Sequence, residues 1–477
     1  MVRPSVSACL AACLALVFAL GCATSPKAKP AKAKRTVLLT EYDDARAGRE
    51  SSQDVKAELG VLDNAVLTAY VDGIGRKLLR GVPTRGFDYQ FSVVDMQEPN
   101  AFALPGGYVF ISRGLLLLAN SEDELACVIG HEITHAARRH AAANQALQSQ
   151  LPPLFLPGAR ARLASYSREM EREADEGGQI LCAAAGYDPM GMSTFLKNLA
   201  MSVRLEHGYT PVATFFDSHP GSEERAAANA VRAREIRWKR DPALGDPRIA
   251  LMRQIDGLEV GQRPEAGIFQ GDRFLHPVLG FTVRFPSGWR ELNTNRAVGA
   301  VQPLGEAAVF VTADGPAGDV ARVAEAWVAK QQESTRLDVN ASKPVKVGGL
   351  DAWRIDANAS ASSGVVRALI TFIPFRDATW RITGAAPAQI ASRYEGAMLA
   401  TARTFRELSA EERRSIEVTR LRVETARAGE GLAELGKRSG NVWSINDTAV
   451  MNGVFANHRF AGGERVKVAR VEPYTGP

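Results

Sequence analysis

Cysteine and histidine are scarce in this chain of 477 residues, with five of the one and seven of the other. Three of the cysteines, Cys9, Cys13 and Cys22, fall within the first 22 residues, which leaves Cys127 and Cys182 for the rest. So few cysteines exclude a disulfide-dense scaffold. The remaining two fit either a single bridge or a pair of buried thiols. Helical repeats of the tetratricopeptide kind are absent. Net charge is nearly absent too, once its location is considered. The formal value is +5, but residues 1–35 hold six Lys or Arg and no acid, so the rest of the chain carries −1. The basic balance belongs to the tail and gives no case for nucleic-acid binding.

That tail reads as an address. Arg3 precedes an apolar run from about Val6 to Leu20, followed by Gly21-Cys22. The pattern fits a secretory signal ending in a lipidation site rather than a spanning helix, with Cys22 as the lipid acceptor. Leu10-Ala-Ala-Cys13 is a better local match, but cleavage there leaves too short an apolar region before it. No aspartate follows Cys22. Similarity to bacterial lipoproteins then implies the periplasmic face of the outer membrane. Residues 23–36, rich in Lys, Pro and Ala, form a flexible tether with no means of building a core.

The scarce histidines are not scattered evenly. His131-Glu132-Ile133-Thr134-His135 places two imidazoles one turn apart on one helical face. Such a face supplies two nitrogen ligands to zinc, and Glu132 is then placed to take a proton from water. A helix is expected here. Ser121 and Glu124 have capping-box spacing, and Leu125 to Ile129 are largely apolar. Further on, Ser165-Tyr-Ser-Arg-Glu-Met-Glu-Arg-Glu-Ala-Asp175 places Glu171 and Asp175 at i and i+4. Glu171 is the candidate third ligand, and Asp175 the candidate acceptor for a ligating imidazole's N–H. Glu169 and Glu173 fall on other faces and read as solvated surface. His140, His207, His276 and His458 have no partner at ligand spacing and read as structural or surface residues.

Four motifs stand in order: Asn100-Ala-Phe-Ala-Leu-Pro-Gly-Gly107, the His131–His135 stretch, Ser167-Arg-Glu-Met-Glu-Arg-Glu-Ala-Asp175, and Ser218-His219-Pro220 with Arg225. In this order they resemble the HtpX-like zinc metalloproteases, over roughly residues 37–240. The resemblance implies a mainly helical zincin fold of the gluzincin type. It implies one Zn2+ per subunit held by His131, His135 and Glu171, with Glu132 as general base. It further implies that His219 acts as a fourth ligand in a latent state and that Arg225, near the catalytic cleft, takes a direct catalytic part by helping to stabilise the oxyanion. Tyr108, Val109 and Phe110 sit in a β-rich run that reads as an edge strand for binding an extended peptide.

The overall expectation is an α+β protein. Residues 37–245 form the metallopeptidase domain and 246–268 a linker. Residues 269–408 form an α+β domain resembling PsbP, and 409–477 a small α/β module resembling LysM. Strands are expected at Phe281–Phe285, Ala308–Thr312, Val345–Ile355 and Val365–Ile382, and helices at 319–336 and 388–407. The function implied is an envelope metalloendopeptidase that degrades misfolded or stalled outer-membrane proteins, tethered by its lipid and touching peptidoglycan through its last module. The alternatives are a latent binding or assembly factor on a protease fold, and a cell-wall-bound peptidase.

Overall fold

The computed structural model describes residues 40–84, 87–150, 157–205, 222–333, 336–361 and 364–476. The stretches read as a signal sequence and a tether, with Cys22, and also His207 and His219, lie outside the described residues. Two compact units emerge. One gathers the described residues up to Gly261 together with Val418–Glu472, and the other holds Gln262–Glu417.

The first unit begins with α1 (Glu41–Leu59) and α2 (Ala65–Leu79), then β1 (Gln90–Val94), β2 (Ala101–Leu104) and β3 (Tyr108–Ser112). It continues through α3 (Arg113–Leu118), α4 (Glu122–Ala137), α5 (His140–Gln150), α6 (Pro157–Ala184), α7 (Gly191–Leu205), α8 (Ser222–Glu235) and α9 (Pro247–Ile255). Polar caps set the starts. Asn64 Oδ1 accepts from Leu67 N–H at 2.9 Å, and Ser112 Oγ accepts from Leu115 N–H at 3.0 Å while closing β3. Ser121 Oγ accepts from Glu124 N–H at 3.2 Å, as its spacing predicts. The Glu124 carboxylate, however, takes the N–H of Asn120 at 2.7 Å, one residue further back than in a standard capping box.

Every residue of α4 from Glu122 to Thr134 is buried. Its Leu125, Val128, Ile129 and Ile133 join α2 (Leu67, Val71, Ile74, Leu78), Leu115–Leu118 of α3, and Phe195 and Leu196 of α7 in one core. A helix buried on all sides holds its side chains in fixed rotamers, which a metal centre requires.

The small sheet corrects one expectation. Its strand order is β1-β3-β2. β3 pairs with β1 in parallel and with β2 in antiparallel fashion, so Tyr108, Val109 and Phe110 have ladder partners on both sides. All five β3 residues are buried. β3 is therefore the central strand and offers no edge to a peptide. The edges are β1 and β2, and Phe102, Ala103 and Leu104 of β2 are half-buried. Pro105-Gly106-Gly107, the tight link from β2 to β3, folds β2 back over β3.

The stretch read as a linker contains α9, which Asp246 caps by accepting from Arg248 N–H and Ile249 N–H, both at 2.9 Å. Leu251, Met252 and Ile255 of α9 enter the first unit's core.

The second unit holds a sheet of order β14-β6-β5-β4, built from β4 (Ile268–Gln270), β5 (Arg273–His276), β6 (Phe281–Arg284) and β14 (Arg406–Glu407). A seven-stranded sheet follows the order β10-β11-β12-β13-β9-β8-β7. Its strands are β7 (Arg290–Asn293), β8 (Val298–Val301), β9 (Ala308–Pro316), β10 (Leu337–Val347), β11 (Leu350–Ala361), β12 (Gly364–Phe375) and β13 (Ala378–Pro387). The helices are α10 (Val320–Gln332), α11 (Glu395–Thr404) and α12 (Ala410–Arg414). Two of the expected strands each prove to be parts of a hairpin. The run from Val345 to Ile355 crosses from β10 to β11 at Gly348-Gly349, both with positive φ (54° and 85°). The run from Val365 to Ile382 spans β12 and β13. Hydrophobic alternation continues through a two-residue turn, so the pattern alone merges the two strands.

The chain then returns to the first unit as strand–helix–helix–strand: β15 (Glu417–Thr425), α13 (Leu432–Ser439), α14 (Ile445–Met451) and β16 (Arg465–Pro473), with β15 paired to β16. The return is anchored by Lys467, which is fully buried. Its ammonium donates to the carbonyls of Leu117, Leu118 and Ala119 at 2.7, 3.1 and 3.0 Å. These carbonyls end α3, where helix carbonyls lack intrahelical partners and the dipole favours a cation. Among the described residues no helix is long and apolar enough to cross a membrane. Cys127 and Cys182 are buried free thiols.

Candidate metal centre

The donor atoms of His131, His135 and Glu171 converge, all within 4.8 Å of one another. His131 Nε2 and His135 Nε2 lie 3.0 Å apart. The Glu171 carboxylate approaches them at 3.5 Å (Oε2 to His131) and 3.4 Å (Oε1 to His135). The i, i+4 spacing on α4 supplies the first pair. What brings in Glu171 is the close crossing of α4 and α6. A methyl group at Gly178 would stand 2.8 Å from His131 N, and one at Gly130 would stand 3.0 Å from Gly178 O. Glycine at this crossing lets the two backbones approach closely enough for a glutamate to reach the imidazole tips.

Asp175, one turn beyond Glu171, lies 3.1 Å from His131 Nδ1. It is held in turn by Arg225 of α8, whose Nε and Nη2 donate to its two oxygens at 2.9 and 2.6 Å. Asn229 Nδ2 adds a bond to Asp175 at 2.9 Å. The third guanidinium nitrogen of Arg225 reaches Glu171 Oε2 at 2.8 Å. Arg225 is thus near the cleft, as the resemblance implies, but only 7% exposed and bound to two carboxylates. Its place is behind the donor set, so an expected direct catalytic part gives way to a positioning one.

The charges reinforce one another. Burial alone would lower the His131 pKa, but its bonds to Asp175 and Glu171 carry it up to about 9 in the absence of a cation. Burial would raise the Asp175 pKa, yet Arg225 and His131 hold its carboxyl well below the usual range. Arg225 is raised by the same two carboxylates against the opposing effect of burial. Two imidazole nitrogens facing each other at hydrogen-bond distance, with a carboxylate beside them, repel unless a proton or cation sits between them. Two nitrogens and an oxygen are also the donor set of catalytic zinc. The residues therefore fit the metal.

Glu132 is 1% exposed and lines the cleft beside His135 and Glu171. This cleft, of about 210 Å3, is bounded on one side by Phe102, Ala103, Leu104 and Pro105, the edge strand and its turn.

Spacing did not identify His140 or Glu173. His140 is 6% exposed, and its Nδ1 lies 2.8 Å from Nδ1 of His135. Its Nε2 lies 3.4 Å from the Glu173 carboxylate, a side chain that is also solvent-exposed, as expected. Burial pulls the His140 imidazole below its usual range, against the pull of Glu173. The helical count failed because α4 stops at Ala137 and Arg139 adopts φ 55°. The chain turns back on itself, and i+5 ceases to mean another face. No residue type in this stretch signals that turn. The edge strand, by contrast, was signalled: Pro-Gly-Gly between two apolar runs is a turn.

Comparison with known proteins agrees with this site. Residues 66–161 and 154–233 match the model of peptidase family M48. The chain is 31% identical over 200 residues to a putative β-barrel assembly-enhancing protease of Vibrio cholerae, covering 37% of this chain and 41% of that protein. It is 26% identical over 210 residues to the β-barrel assembly-enhancing protease of Escherichia coli K12, covering 39% and 42%. With the mitochondrial metalloendopeptidase OMA1 of Schizosaccharomyces pombe it shares 28% over 200 residues, covering 38% and 58%. The resemblance to HtpX-like zinc metallopeptidases is therefore real across this region. The chain spans about two fifths of the length of the first two relatives. Among solved structures, cyanobacterial PsbP from Synechocystis is similar at 10% identity, covering 31% of this chain and 98% of that one with a TM-score of 0.25.

Proposed function

We propose that this protein is a zinc-dependent metalloendopeptidase. The observation that carries the reading is the convergence of His131, His135 and Glu171 beside Glu132, in a cleft bordered by the edge strand β2. Zinc bound there supplies Lewis acidity toward water and a scissile carbonyl. The remaining work falls to the chain. β2 pairs with an extended peptide through main-chain hydrogen bonds and lays it across the cleft. Glu132 accepts a proton from the attacking water and returns it to the leaving amine. Asp175 holds His131 by its Nδ1–H. Arg225 holds Asp175 and Glu171 in place and balances their charge.

Binding through the main chain tolerates varied side chains, which suits unfolded segments as substrates. In this reading the protein acts at the periplasmic face of the envelope, anchored by a lipid on Cys22, and clears misfolded or stalled outer-membrane proteins. The names of the bacterial relatives support that setting. Contact of residues 409–477 with peptidoglycan and a gating part for His219 belong to the same proposal. The test is metal content and casein degradation for wild type, Glu132→Gln and His219→Ala. Glu132→Gln keeps the zinc and loses activity by roughly 10²–10⁴-fold. His219→Ala raises activity. Zinc-free protein, or full activity in Glu132→Gln, overturns the reading, and an unchanged rate in His219→Ala overturns the gating part.

A further inference from the structure

A metal-binding imidazole offers one nitrogen to the metal, and the partner of its other nitrogen sets which tautomer it adopts. For His131 that partner is Asp175. For His135 it is another imidazole. Two ring nitrogens 2.8 Å apart share one proton, so one ring donates and the other accepts. The direction follows from the far side of His140. Its Nε2 faces the Glu173 carboxylate, which only accepts, so the His140 proton sits on Nε2 and its Nδ1 presents a lone pair. His135 then carries its proton on Nδ1 and leaves Nε2 bare, toward His131 and Glu171.

The backbone holds this arrangement. Arg139, at φ 55°, is in a region that disfavours side chains with a Cβ. Its guanidinium is clamped by both oxygens of Asp44 on α1, with Nη2 at 3.1 Å from Oδ1. That clamp keeps the turn in which His140 faces back toward α4.

Resting on the metallopeptidase reading above, we infer that His140, oriented by Glu173, is the positioning residue that keeps His135 in the tautomer presenting Nε2 to the metal. The experiment measures the zinc affinity of the purified full chain by competition with a chromophoric chelator, for wild type, His140→Leu, His140→Asn and Glu173→Gln. His140→Leu weakens zinc binding by about 10–100-fold. His140→Asn retains an acceptor oxygen near the Nδ1 position and stays within about threefold of wild type. Glu173→Gln weakens binding by a few-fold, because an amide fixes the His140 proton less firmly. Should His140→Leu fail to fold, the other two variants carry the test. Wild-type affinity in His140→Leu, or equal losses in His140→Asn and His140→Leu, overturns this inference and leaves the metallopeptidase reading intact. A wild-type chain that binds no zinc overturns both.

Discussion

Lys467 offers a direct test of whether the C-terminal segment is part of the fold of the unit that holds His131. In Lys467→Met the side chain keeps its length and apolar stem but loses three N–H donors. Of the carbonyls it serves, Leu118 O retains a bond from Asn120 Nδ2 at 3.1 Å. Leu117 O and Ala119 O lose the lysine at the buried end of α3. A buried acceptor left without its partner costs about 1–3 kcal/mol. Two of them give roughly 2–6 kcal/mol, reduced somewhat because an ammonium no longer has to be desolvated. We expect about 3 kcal/mol. Burial and the nearby Arg248 push the Lys467 amine well below its usual pKa, and Glu124 offsets them only in part, so removing the charge relieves some of that cost and works against the loss. The assay is urea denaturation of the full chain, following the transition of the unit that holds His131 separately from that of residues 262–417. Only the first should move. A shift below about 1 kcal/mol, or an equal shift of both transitions, refutes the idea that this lysine locks the returning segment onto α3.

Further outcomes follow from the donor cluster. In the metal-free protein the His131 pKa is raised to about 9 from 6.5, so its contribution to stability is complete below pH 6.5 and is lost as pH rises through about 9. The apo protein should lose of the order of 3 kcal/mol across that window while the zinc-loaded protein does not. Zinc binding near pH 7.5 should release about one proton, measured by calorimetry in buffers of differing ionisation heat. Arg225→Met takes the guanidinium from two buried carboxylates, leaving them His131 and, for Asp175, Asn229, and should cost about 3–5 kcal/mol in apo stability, read from thermal unfolding. A loss under 1 kcal/mol would remove Arg225 from its positioning role. Gly178→Ala drives a methyl group to within 2.8 Å of His131 N, so it should destabilise by about 1–3 kcal/mol and weaken zinc affinity, checked by denaturation and chelator competition.

Much of the metal site was legible in the linear order. His131, Glu132 and His135 follow from helical spacing, and Glu171 with Asp175 from the same spacing on a second helix. These are local facts, set by a pitch of 3.6 residues per turn, and the fold had only to bring two helices together. The C-terminal strands were legible as runs of alternation, though not as hairpins, because a tight turn leaves the alternation unbroken.

Tertiary structure decided the rest. The role of Arg225 depends on α8 delivering its guanidinium onto Asp175 and Glu171, and nothing within the sequence of α8 encodes that distance. β3 proved central because β1, from before the motif, pairs with it in parallel, a long-range choice. His140 reached His135 through a left-handed residue held by Asp44, 95 positions earlier in the chain. Lys467 sits in the core because the end of a distant helix supplies acceptors for its side-chain nitrogen. Helix pitch fixes ligands that share a turn, whereas partners separated by tens of residues are chosen by packing, which the order of residues alone does not display.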